Sequence, residues 1–220
     1  MSKFNKIDTI SIIRKTGIVP VFYNSDVELS KKVVKACYDG GIRAFEFTNR
    51  GDNAHKVFEE LAPFVRAYCP EMALGAGTIL DAPTAALYLQ MGADFLVSPC
   101  IAEDVITLAN RRGVPYSPGC GSVTEIVHAL ERGCDLVKVF PAGAVGGPAF
   151  VKSVLAPLPW AMLMATGAVE PTEDNLRAWA GSGVTAVGMG SQLFPKSVIL
   201  SEDWDSISAL CKKCIDWFKA

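Results

Sequence analysis

The sequence lacks the features that would send it to a nucleic acid, a membrane or a metal. Its 21 Lys and Arg against 23 Asp and Glu give a formal charge of −2, and no stretch carries a run of like charge. The concentrated basic footprint of a nucleic-acid binder is missing. No segment stays apolar for the roughly 18 residues that would mark a transmembrane helix. The first residues, Met1-Ser2-Lys3-Phe4-Asn5-Lys6, include basic side chains. No apolar core or small-residue cleavage site follows them, so a secretory signal is not expected. Only two histidines occur, His55 and His128. They lie far apart, with no Cys or Asp at ligand spacing, so no metal site is expected. Linkers and low-complexity stretches are also lacking, which reads as one domain over residues 1–220.

Cysteine is not scarce, but its pattern excludes a disulfide framework. Cys37, Cys69, Cys100, Cys120, Cys134, Cys211 and Cys214 form an odd, scattered set in a large apolar chain, which implies reduced thiols and a cytoplasmic location. The one C-x-x-C, Cys211 to Cys214, falls in a helical pattern near the chain end. Redox chemistry prefers such a pair after a strand, at a helix N-terminus. Two thiols one turn apart on a helix is the simpler reading.

What is present is alternation. Half of the 220 residues are apolar, enough for a well-buried core. Short apolar runs at 18–23, 44–48, 73–77, 94–98, 115–117, 136–140, 161–165 and 184–188 read as strands. Helical patterns at 27–38, 53–68, 82–91, 102–112, 123–132, 149–155 and 173–180 separate them. A closing helix begins near Asp203, and an extra one precedes the first strand near 7–15. Strand–helix alternation implies a parallel sheet. Eight units without a composition break imply an α/β (β/α)8 barrel, a TIM barrel with an added N-terminal helix. An open doubly wound sheet would carry its glycine fingerprint after the first strand; that turn is Tyr23-Asn24-Ser25-Asp26.

Barrel active sites sit at the C-terminal ends of the strands, and side chains alternate faces along each strand. In Ala44-Phe-Glu-Phe-Thr48, the two phenylalanines suit the layer between sheet and helices, which turns Glu46 inward. Such a glutamate is either a structurally paired acid or a general acid/base. In Leu136-Val-Lys-Val-Phe140, Lys138 shares the inward face with Leu136 and Phe140. It either snorkels to water or acts as a neutral amine against a carbonyl, a form that apolar walls favour. Arg50 follows the second strand, where its planar fork suits a carboxylate or solvent alike. Thr78 and Thr166 place hydroxyls at strand ends, as caps or as site groups. Gly188-Met-Gly190-Ser191 ends the eighth strand, where these barrels often bind phosphate.

These residues occur in an ordered set: Phe45-Glu-Phe-Thr-Asn-Arg50, Gly75-Ala-Gly-Thr78, Ser98-Pro99, Pro118-Gly119, Val137-Lys-Val-Phe-Pro-Ala142, Ala165-Thr-Gly167 and Gly190-Ser191. The set resembles the 2-keto-3-deoxy-6-phosphogluconate (KDPG) aldolase / 4-hydroxy-2-oxoglutarate (KHG) aldolase family, from about Ile7 to Phe218. The resemblance implies a class I aldolase without metal or other cofactor. It would cleave a 4-hydroxy-2-keto acid to pyruvate and an aldehyde, either glyceraldehyde 3-phosphate or glyoxylate. By that resemblance Lys138 forms the Schiff base and Glu46 shuttles protons. Arg50 and Thr78 hold the pyruvate carboxylate, Pro99 and Phe140 line the site, and Thr166 bears on stereochemistry. Gly167, Ala168, Gly190 and Ser191 form the phosphate rim. The resemblance also implies a homotrimer acting on a small-molecule 2-keto acid, with no nucleic-acid or membrane partner.

The chain departs from the family pattern at three places. Ala168 stands where a second glycine is usual and would be strained if that position needs φ > 0. Cys120-Gly121-Ser122 replaces a branched residue followed by Ser-Thr. Asn49 and Gly51 flank Arg50 where Leu and Thr are common. Two other readings of the residues stay open: a barrel that binds a phosphate ligand without turnover, and a different phosphate-binding lyase or isomerase using Glu46 as base.

Overall fold

The computed structural model describes residues 2–220. The strands are β1 Ile18–Phe22, β2 Ala44–Thr48, β3 Ala73–Gly77, β4 Phe95–Val97, β5 Tyr116–Ser117, β6 Gly119–Cys120, β7 Leu136–Val139, β8 Met162–Thr166 and β9 Ala186–Met189. The helices are α1 Lys6–Thr16, α2 Val27–Asp39, α3 Ala54–Tyr68, α4 Ala82–Met91, α5 Glu103–Arg112, α6 Val123–Glu131, α7 Gly147–Leu155, α8 Glu173–Gly181, α9 Lys196–Leu200 and α10 Trp204–Lys219. The strands run in the order β5-β4-β3-β2-β1-β9-β8-β7-β6, and every pairing is parallel.

The expected fifth strand is two short pieces, β5 and β6. Pro118 separates them because it has no N–H to give to a ladder. β5 pairs with β4 and β6 with β7, and the Lys138 N–H donates to the Pro118 carbonyl at 2.9 Å. The break therefore passes the ladder from one neighbour to the other, and the barrel has eight staves. Pro20 serves the same end in β1. Residues 18–20 pair with β9, and only Val21 and Phe22 pair with β2.

Strand alternation divides the apolar residues into two layers. Phe45, Phe47, Val137 and Val139 join the large cluster that packs the helices against the outside of the barrel. Val19, Ala44, Ala73, Phe95, Leu136, Met164 and Ala186 form a second cluster in the lumen. Ile13 of α1 belongs to this inner cluster, so the N-terminal helix plugs one end of the barrel. The segment ahead of α1 is tied down by Asp94, whose carboxylate accepts from the backbone N–H groups of Lys3, Phe4 and Leu74 at 2.6, 3.2 and 3.0 Å. Burial pushes the Asp94 carboxyl above the usual Asp range despite these donors.

Side-chain caps start the helices where the sequence offers Asp or Ser. Asp26, Asp81, Ser122 and Asp203 each accept from a backbone N–H of the following turn. At Ser122 the Glu125 carboxylate returns a bond from the Gly121 N–H at 2.8 Å, a capping-box arrangement. Two elements were not expected from the sequence, a 3-10 turn at Ser191–Leu193 and α9. The C-x-x-C lies within α10, with Cys211 and Cys214 both buried. Burial pushes the Cys214 thiol up to about 12, which suits packing rather than redox exchange. Among the described residues no helix is long and apolar enough to cross a membrane.

The plug makes a stability prediction. Ile13 is 1% exposed and Ile7, on the same helix, 79%. Ile13→Ala is expected to cost about 2–5 kcal/mol in urea unfolding, and Ile7→Ala no more than about 0.5 kcal/mol. Equal effects would mean that α1 does not fill the barrel end.

Candidate active site

Glu46 and Lys138 come from opposite walls. β2 and β7 are four staves apart in either direction round the barrel. Both residues lie in phase with inner-cluster residues, Ala44 and Leu136, so both side chains enter the lumen. Glu46 is 1% exposed and Lys138 5%. Among the described residues they form no ion pair with each other or with any other group. The Lys138 Nζ stands 4.9 Å from the Phe140 ring centroid. This lysine does not snorkel to bulk water.

Glycine supplies the space for the carboxylate. A Cβ at Gly77, the β3 neighbour of Thr48, would overlap the Glu46 Oε1. Among the described residues, two buried side-chain polar atoms have no hydrogen-bond partner, Glu46 Oε2 and Thr166 Oγ1. Both belong to inward positions, Glu46 in the middle of β2 and Thr166 at the end of β8. Buried orphans are rare because each forfeits the hydrogen bonds it had with water. Two at one barrel mouth mark a place built to receive polar atoms from elsewhere.

Above the mouth lies a cavity of about 690 Å³. Arg50 lines it beyond β2, Phe140 and Thr166 beyond β7 and in β8, and Gly167, Ala168, Gly190 and Ser191 along the loops after β8 and β9. Lys138, Glu46, Thr78 and Pro99 are not part of this lining. Lys138 reaches the cavity's edge through Phe140, on whose ring it stacks. Val21, the register partner of Glu46, is in the cavity wall. Thr78 follows β3 beside Arg50, since the Asn49 N–H donates to the Gly77 carbonyl at 2.8 Å. Pro99 follows β4 and lies against Gly119.

Neither threonine caps a helix. Thr166 Oγ1 is unpartnered, and Thr78 has φ 61, an outlier for a β-branched residue. The backbone on either side holds Thr78 there: Asn49 donates to Gly77, and Ile79 to the Val97 carbonyl at 3.1 Å. Ala168 has φ 58, so the position does need the left-handed region and the alanine is strained. Its carbonyl accepts from Asn175 Nδ2 at 3.3 Å, and the Glu170 N–H donates to Asn175 Oδ1 at 2.9 Å. These contacts fix the turn from the α8 side.

The other departures are matched by neighbours. Asn49 Oδ1 accepts from the Tyr88 hydroxyl at 3.0 Å, and burial pushes that phenol up to about 12, which keeps it a donor. Gly51 leaves the space that the Tyr23 ring and hydroxyl fill, and Gly143 leaves the space for the Ala168 methyl. Cys120 is buried, and burial pushes its thiol up to about 12. His128 pairs with Glu103 at 2.5 Å on the surface. No group of three or more His, Cys, Asp or Glu suited to a metal ion occurs among the described residues.

Sequence reasoning missed part of the cavity. Phe22, Tyr23, Asn24, Phe194, Lys196 and Ile199 also line it. Tyr23 and Asn24 follow the first strand, so their strand-end position was a usable signal. Phe194 caps the unforeseen turn and Ile199 lies in α9, and nothing in their spacing pointed inward.

An all-parallel eight-stave barrel with polar side chains converging at its C-terminal mouth defines the class: a TIM-barrel fold with an enzyme-like site. Residues 9–210 match the family described as KDPG and KHG aldolase, and the chain belongs to that family. The 2-dehydro-3-deoxy-phosphogluconate aldolase of Pseudoalteromonas atlantica is 32% identical over 98% of this chain and 97% of its own. The 2-dehydro-3-deoxy-6-phosphogalactonate aldolase of Escherichia coli is 34% identical over 86% and 85%. A crystal structure of KDPG aldolase from Legionella pneumophila, with pyruvate captured as a covalent carbinolamine intermediate, superposes with a TM-score of 0.82 at 26% identity, covering 93% and 96% of the two chains.

The strain at Ala168 is testable. Ala→Gly in ordinary backbone costs about 0.5–1 kcal/mol. At φ 58 the strain relief offsets that cost, so Ala168→Gly is expected to leave the urea midpoint unchanged or raise it. A midpoint drop worth about 1 kcal/mol would show that the turn is not strained.

Proposed function

We propose that the chain is a class I aldolase. It cleaves a 4-hydroxy-2-keto acid, KDPG or KHG, to pyruvate and glyceraldehyde 3-phosphate or glyoxylate. One observation carries the proposal: a buried lysine and a buried carboxylate with an unpartnered oxygen face each other across the lumen without pairing. Two buried ionisable groups that fail to neutralise each other cost several kcal/mol. A reacting ligand between them explains the arrangement, and the carbinolamine in the Legionella relative supports a covalent amine route.

In the cleavage direction the neutral Lys138 amine adds to the C2 carbonyl of the substrate. Glu46 delivers a proton to the carbinolamine hydroxyl, which departs as water and leaves a protonated imine. The Glu46 carboxylate then takes the proton of the C4 hydroxyl. The C3–C4 bond breaks, its electron pair flows into the imine as an enamine, and the aldehyde leaves. Protonation at C3 and addition of water release pyruvate and the free amine. Arg50 and Thr78 hold the carboxylate at the pyruvate end, with Pro99 and Phe140 as walls. Thr166, its hydroxyl unpartnered, contacts the C4 hydroxyl and so selects stereochemistry. Gly167, Ala168, Gly190 and Ser191 receive the phosphate of a phosphorylated substrate. The whole chain acts as one barrel domain, as a homotrimer in the cytoplasm, on a small molecule and without a cofactor.

Borohydride reduction in the presence of pyruvate is expected to fix a stable adduct on Lys138, located by peptide mass spectrometry. Lys138→Ala should abolish both the adduct and turnover. Glu46→Gln should lower kcat by about 10²–10⁴, and activity should survive chelation. An unmodified protein, or turnover retained by Lys138→Ala, refutes this reading.

A further inference from the structure

The cavity above the mouth carries a charge pattern that cleavage at the pyruvate end does not use. Its lining contains two charged side chains, Arg50 and Lys196, and no carboxylate. Among the described residues neither cation makes a side-chain hydrogen bond or an ion pair, whereas Lys31, Lys32, Lys35 and Arg177 on the outer surface are each paired. An unpaired surface lysine is ordinary. A lysine on the wall of an acid-free cavity, whose other cation is committed to the substrate carboxylate, is placed to meet a second anion.

The two cations lie at different parts of the rim. Arg50 follows β2, and Lys196 opens α9, past the Ser191–Leu193 turn that follows β9. β1 stands between β2 and β9 in the sheet, and its Phe22 lines the cavity between them. Lys196 is on the same side as Ser191, the hydroxyl of the proposed phosphate rim. Around it the lining mixes Phe194 and Ile199 with the polar Ser191 and Gln192, and Lys196 itself is exposed at the rim.

We infer that Lys196 is a specificity-determining residue of this aldolase: its ammonium binds the terminal phosphate of the aldehyde half, so the cavity selects 2-keto acids that are anionic at both ends. The phosphate is favoured over a terminal carboxylate because Lys196 follows Ser191, the hydroxyl of the proposed phosphate rim, at the start of the next helix and lines the same cavity. This rests on the aldolase reading, because Arg50 must hold the keto-acid end for Lys196 to meet the other.

The test compares wild type, Lys196→Ala and Lys196→Arg on three substrates: KDPG, its unphosphorylated counterpart, and 4-hydroxy-2-oxoglutarate. A charge-assisted hydrogen bond lost at the phosphate should lower the ratio of kcat/KM for KDPG over the unphosphorylated sugar acid by roughly tenfold or more in Lys196→Ala. The loss should fall mainly on KM, and Lys196→Arg should recover most of it. Inorganic phosphate, titrated by calorimetry, should bind Lys196→Ala more weakly than wild type. An unchanged ratio, or a loss confined to 4-hydroxy-2-oxoglutarate, overturns the assignment. Borohydride trapping of pyruvate runs alongside. If wild type fails to trap pyruvate, the aldolase reading falls, and the phosphate titration still decides whether Lys196 binds an anion.

Discussion

The structure depends on keeping Glu46 and Lys138 buried on opposite walls without letting them pair. Either group is costly to hold in an apolar lumen without a hydrogen-bond partner. The barrel bears that cost through two continuous apolar layers. The outer one packs Phe45, Phe47, Val137 and Val139 under the helices, and the inner one fills the lumen below the two polar residues. Because strand side chains alternate, the residues that anchor β2 and β7 to the outer layer are those that force Glu46 and Lys138 inward. A one-residue slip in either strand would exchange the layers. The plug of α1, with Ile13 in the inner cluster, closes the end of the barrel opposite the cavity. The open end is therefore the one where polar atoms lack partners.

Around that open end the side chains interlock in pairs. Tyr23 occupies the space that Gly51 leaves, the Ala168 methyl the space that Gly143 leaves, and Tyr88 binds Asn49. Residues in contact do not contribute additively, so a substitution at one member of a pair acts on its neighbour as well. All three couples lie at the rim rather than at the lysine.

Most of the barrel was legible because its signals are local. Alternation within five-residue strands and stop signals after helices fixed the order of elements and the inward phase of Glu46 and Lys138. The fifth strand was readable only in its first half, since Pro118 ends one ladder where another begins. α9 was hidden because its five residues, of which only Val198 and Ile199 pack partly buried against the core, are too few to show an apolar period. Of the site, strand-end residues were accessible through phase and family likeness. Lys196 was not: the role proposed for it comes from what surrounds it, a wall without acids, and that is a property of folded space rather than of spacing. The strain at Ala168 was foreseen as a condition on φ and could be decided only by the turn itself.

We propose that Lys138 and Glu46 act together on one bound keto acid. The most direct measurement is exchange of the pyruvate methyl protons in D2O, followed by NMR. The wild-type protein should exchange them through an enamine. Lys138→Arg should not exchange them at all. Glu46→Gln should exchange them slowly while still being trapped on pyruvate by borohydride. Exchange retained in Lys138→Arg, or an undiminished rate in Glu46→Gln, would contradict the pairing.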